Sequence, residues 1–60
     1  MKKVTSFSDI QYIIKNKCDL KQTINGKLHD LPYFSFLRMT LGDVTAAINE
    51  GSLFYDLQDC

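Results

Sequence analysis

"TLGDVTAAINEG", residues Thr40 to Gly51, is the stretch on which the fold turns. Thr40 is a good N-cap, Asp43 sets a negative charge near the helix N-terminus, and Gly51 supplies a stop. Leu41, Val44 and Ile48 fall on one face, and Ala47 is small enough to let a neighbouring element approach. The segment is read as a helix over about 40–51. Its context decides the architecture: a second helix after Gly51 makes a DNA-reading helix-turn-helix, whereas a strand there makes the same segment a structural helix of a small α+β domain.

The residues that follow, "SLFYDL", are short and aromatic and favour a last strand at about 52–57. On the other side lies "PYFSFLRM", Pro32 to Met39, which admits two readings. As a strand it carries Phe34 and Phe36 on one face and Leu37 and Met39 on the other, as suits a central position. As a helix it has Asp30 as N-cap, Pro32 in the first turn, and Phe34, Leu37 and Leu41 at helical spacing. The density of aromatic residues favours the strand.

Further upstream, Asn25-Gly26 is the dipeptide best suited to a two-residue hairpin turn, because both central positions require positive φ. It predicts strands at about 20–24 and 27–30, with Ile24 opposite Lys27 and Thr23 opposite Leu28. Neither face is cleanly apolar, so the pair reads as an edge hairpin, with a loop as the alternative. In "FSDIQY", Ser8 and Gln11 fit a capping box and Phe7 a staple onto Tyr12. Ile10, Ile13 and Ile14 then share a face with Cys18 one turn on, predicting a helix over about 9–18. The order helix, hairpin, strand, helix, strand is that of an α+β mini-domain, with two helices on a short mixed or antiparallel sheet.

The helix-turn-helix alternative has a specific basis. Ala47 and Gly51 stand at the spacing where such domains place a tightly packed alanine and a turn glycine. "MTLGDVTAAINEG" resembles the first helix of MerR-like and excisionase-like domains, which implies a small DNA-binding transcriptional regulator using residues 40–57. The recognition helix would then be "SLFYDLQDC", which carries Asp56 and Asp59 where phosphate contacts call for Lys and Arg. The net charge is zero and no basic stripe is present, which argues against nucleic acid as the partner.

That zero hides an asymmetry. Residues 1–30 hold six lysines (Lys2, Lys3, Lys15, Lys17, Lys21, Lys27) against Asp9, Asp19 and Asp30, a balance of +3. Residues 31–60 hold Arg38 against Asp43, Glu50, Asp56 and Asp59, a balance of −3. Such a chain can pair head to tail or offer one charged face to a partner, although scattered lysines and aspartates also simply solvate a surface.

With 45% hydrophobic and 23% charged residues the composition is globular, but 60 residues bury a thin core, and chains this short usually carry a staple. A Cys18–Cys60 bridge is one option, set against Cys60 standing at the end of the sequence, where chains fray. The opening "MKKVTSFSD" lacks the apolar run of a secretory leader. Together these favour free thiols and a cytoplasmic location. No run approaches the roughly 20 apolar residues of a membrane span. Self-association, most simply a homodimer, is then the expected source of extra stability.

Little here points to catalysis. His29 is the only histidine, and Asp30 beside it would face the opposite side of a strand. Cys18, His29 and Cys60 lack the close ligand spacing of a zinc site, and no phosphate loop, nucleophile elbow or paired carboxylates occur. The expectation is a non-enzymatic chain without cofactor or metal. What stands out is an aromatic surplus, seven rings in a core with room for about half of them. Tyr33, Phe34, Phe36, Arg38 and Tyr55 are the candidate interface residues, of types favoured at interface centres. The expected role is a protein-binding regulator or inhibitor, of the kind that small phage and mobile-element proteins provide.

Overall fold

The computed structural model describes all 60 residues. Along the chain come β1 (Lys2–Lys3), α1 (Phe7–Asn16), β2 (Leu20–Ile24), β3 (Lys27–Leu31), α2 (Tyr33–Leu37), α3 (Leu41–Glu50) and β4 (Leu53–Tyr55), then a 3-10 turn at Leu57–Asp59. The strands form one antiparallel sheet in the order β1-β4-β2-β3. This is the expected α+β mini-domain, with three helices instead of two.

Strand alternation builds the core. Leu53 and Tyr55 are buried on β4 while Phe54 between them is half-exposed. Leu20 stands opposite Tyr55 on one side and Leu31 on the other, so these residues share a face. Ile10 and Ile13 of α1, Phe36 of α2, and Val44 and Ala47 of α3 join that face and Val4 in one cluster. The accessible surface is 4169 Å², close to the roughly 4,000 Å² expected of a compact chain of this mass.

The hairpin forms as read. Asn25 and Gly26 both have positive φ, 53° and 78°, and Ile24 pairs with Lys27 and Thr23 with Leu28. The stretch from Thr40 to Gly51 also folds as expected: the Asp43 amide donates to Thr40 Oγ1 (3.1 Å), and Gly51 closes α3 at φ 67°. Helix α1 begins two residues earlier than expected. Ser6 occupies its N-cap position and Phe7 its first turn, so the Ser8 capping box does not form. It ends on Lys17, a non-glycine residue at φ 54° whose amide donates to Ile13 O.

Residues 33–37 are helical, which corrects the expected strand. The interior of the sheet is filled, with β2 between β3 and β4, and Phe36 of this segment packs instead into the core beside α1 and α3. Pro32 precedes the first turn, and the Tyr33 amide donates to Asp19 Oδ1 (2.9 Å), a cap supplied by a residue 14 positions away. The two aromatic pairs therefore lie on a helix and on a strand, not on two paired strands. Strand β1, absent from the sequence reading, pairs Lys2 with Tyr55 and Lys3 with Phe54.

The cysteines also depart from expectation. Cys18 and Cys60 form a disulfide, so neither thiol is free, and the ground for inferring a reducing compartment goes with them. The Asp19 amide donates to Asp59 O (3.2 Å), which holds the 3-10 turn against the start of β2 and brings Cys60 to the buried Cys18. No helix is long and apolar enough to cross a membrane.

Candidate functional site

The residues able to carry chemistry are dispersed or fully engaged. His29 is exposed on β3. Cys18 and Cys60 are consumed by the disulfide. The buried polar cluster centres on Asp9, 9% exposed: Oδ2 accepts from the Thr5 amide (3.0 Å) and Thr5 Oγ1 (3.3 Å), and Oδ1 from Tyr55 Oη (3.1 Å), with Lys2 Nζ at 3.9 Å. The Thr5 amide bond, aided by those from Tyr55 and Thr5 Oγ1 and by the Lys2 charge, holds the Asp9 carboxyl below the usual carboxylate range against the opposing effect of burial. Burial and the adjacent Asp9 push the Tyr55 phenol up. The two shifts favour the carboxylate at Asp9 and the neutral phenol at Tyr55, the pairing in which Tyr55 donates to Asp9. The cluster ties β1 and α1 to β4.

Three hollows are larger than a side chain, one of them, of about 260 Å³, a shallow depression where Tyr55 and residues 56–58 meet Met1 and Lys2. A second, of about 310 Å³, is lined by Asp19, Leu20, Lys21, Asp30, Pro32 and Asp59. Its polar groups are largely spoken for, with Lys21 Nζ 2.6 Å from Asp30 Oδ1 and Asp19 capping α2. The third, of about 260 Å³, is an open groove between α1 and the α2–α3 segment, and all eight of its lining residues are apolar: Phe7, Ile10, Ile14, Phe36, Leu37, Met39, Leu41 and Val44.

The groove follows from how the helices meet. Phe7, Ile10 and Ile14 recur at three- and four-residue spacing along one side of α1, and Ile10 is buried. Phe36 and Val44 form the floor, buried to 4% and 7% exposure. The walls rise into solvent, with Phe7 56%, Ile14 46%, Leu37 49% and Leu41 71% exposed. Helix α2 turns through Arg38 and Met39 into α3, and this short connection leaves Leu37 and Leu41 uncovered beside Ile14 and Phe7.

Of the candidate interface residues, Phe34 projects into solvent at 77% exposure and Arg38 is exposed just beyond α2. Tyr33 is half-buried, its hydroxyl donating to Ile14 O (3.4 Å) and its ring edge-on to Phe34. Phe36 and Tyr55 belong to the core, so Phe36 reaches the groove only as its floor and Tyr55, on the sheet, does not line it. The structure therefore leaves Phe34 and Arg38 exposed on and just beyond α2, and places Phe36 and Tyr55 in the core. Sequence reasoning missed Phe7, Ile14, Leu37 and Leu41. The available signal was the number of apolar residues on α1, where Ile10 and Ile13 are buried and Phe7, Tyr12 and Ile14 widen the apolar face beyond that stripe. No family model, curated protein or solved structure matches this chain.

Proposed function

We propose that this chain is a non-enzymatic protein-binding module, a regulator or inhibitor that acts by contact, and that the groove between α1 and the α2–α3 segment is a protein-docking face. One observation carries the proposal: eight apolar side chains line one groove, and four of them stand about half exposed or more in a chain whose total surface is that of a compact fold. Exposed apolar side chains gathered this way are costly to leave in water, and covering them supplies the free energy of docking. The alternative of DNA reading finds no support in the residues after Gly51, which form β4 where a recognition helix would be needed.

Site-specific photocrosslinking in the native host tests the proposal. A benzophenone side chain at Leu41 should give protein adducts, whereas the same group at Asn25 in the hairpin turn should give none. Equal adducts at both positions, or none at Leu41, would sink it.

A further inference from the structure

We infer that the occupant of the groove is a second copy of this chain, in a two-fold dimer where Phe34 of each protomer enters the groove of the other. This deepens the docking proposal and rests on it. Three features of the same face favour a copy over an unrelated partner.

The first is shape. A two-fold interface uses one patch on both subunits, so that patch must hold both a projection and a recess. Phe34, 77% exposed, lies three residues before the groove residue Leu37 on α2, hence on neighbouring positions of one helix side. Knob and hole are thus adjacent.

The second is area. An exposed aromatic side chain presents about 150–250 Å², and the aliphatic ones somewhat less. The exposed parts of Phe7, Ile14, Phe34, Leu37 and Leu41 therefore supply on the order of 500 Å² of apolar surface. A standard interface buries about 800 Å² per partner, somewhat over half of it apolar, which is about the same amount.

The third is charge. No charged residue lines the groove, and the chain has zero net charge, so two copies do not repel as wholes. Between Tyr33 and Val44 the only ionised residues are Arg38 and Asp43. Both are exposed, and the ion pairs within the chain, Lys2–Asp9 and Lys21–Asp30, involve neither. Arg38 adjoins the groove residues Leu37 and Met39 in sequence and Asp43 adjoins Val44, and one unpaired charge of each sign on the α2–α3 segment is what a two-fold axis can pair twice, Arg38 of each copy with Asp43 of the other.

Sedimentation equilibrium on the oxidised full chain, from about 1 µM to about 1 mM, tests the inference. A concentration-dependent rise from 6.9 kDa to twice that mass is expected. Phe34→Asp and Leu41→Asp, both at exposed positions and checked for folding by far-UV circular dichroism, should each raise the dissociation constant at least about 30-fold. Arg38→Glu should weaken the dimer, and adding Asp43→Arg should restore it. Lys27→Glu, on the β3 edge, should leave it unchanged. A chain monomeric across the whole range overturns the inference, as does a dimer indifferent to Phe34→Asp and Leu41→Asp. A monomer that still gives adducts with another protein at Leu41 overturns the dimer alone and leaves the docking proposal standing. A monomer with no adduct overturns both.

Discussion

The sheet side and the groove side of this molecule are built from the same kinds of residue and end in opposite conditions. On the sheet side, Val4, Ile13, Cys18 and Leu53 are each fully buried, and Tyr55 is buried with its hydroxyl on Asp9. On the groove side, Phe7, Ile14, Leu37 and Leu41 stand about half or more exposed. The sheet side closes because the helices pack Ile10, Ile13, Phe36, Val44 and Ala47 onto its inner face, with β1 added at one edge and the chain end secured by the Asp9 cluster and the disulfide. The groove side has three helices and no fourth element. Hydrophobic composition therefore does not say where a small chain is stable and where it is adhesive; closure does.

The comparison breaks most severely at the disulfide. Bridging residues 42 positions apart restricts the unfolded chain by about 4 kcal/mol in the loop-entropy account. Total stability for 60 residues is about 3–9 kcal/mol, so reduction, or Cys18→Ser with Cys60→Ser, should leave the chain partly or largely unfolded. Urea titration with and without a dithiol reductant measures this, and an unchanged midpoint would mean that the bridge is not what secures the closed side.

The next largest effect separates the two sides directly. Leu53→Ala should cost about 3 kcal/mol, because it opens a cavity in a fully buried site, whereas Leu41→Ala should stay within about 0.5 kcal/mol in the monomer. Equal losses would erase the distinction between core and groove.

Removing Asp9 should cost about 1–3 kcal/mol, since Tyr55 Oη is left buried without its partner. The native Asp9 carboxyl lies below its unfolded value, so the unfolded chain binds more protons between the two. Its contribution is complete above the unfolded carboxylate range and is lost as pH falls through the lower native value. Asp9→Asn should flatten this acid limb, read as the urea midpoint against pH. Tyr55 gives the mirror case: its raised native value makes its contribution complete below the unfolded phenol range and lost as pH rises through the native one.

The smallest effects concern left-handed backbone positions. Lys17 occupies one at φ 54°, and Lys17→Gly should stabilise by up to about 1 kcal/mol in thermal or urea unfolding. Gly26→Ala should cost about 1 kcal/mol through φ 78° alone, since no atom lies within 4 Å of the added methyl. A loss much above that would mean that the hairpin bears more of the fold than its edge position implies.

Local chemistry made the hairpin and α3 legible. Asn25-Gly26 meets the dihedral demand of a two-residue turn, and Thr40, Asp43 and Gly51 cap one helix, all within interactions that span a few residues. Segment 33–37 was not legible in the same way, because its choice between strand and helix was made elsewhere: by Asp19, which caps it, and by the core that takes up Phe36. The groove was half-legible, its aromatic surplus visible in composition and its location not.

The sequence by itself determined the α+β class, the turn, the capped helix and an excess of apolar side chains, since each depends on backbone preference or count. Tertiary structure alone decided the pairing of Cys18 with Cys60, the helical state of α2, the recruitment of Lys2 and Lys3 into a strand, and which rings remain outside. These outcomes depend on residues 14 to 53 positions apart meeting in space, and no local propensity encodes such a meeting.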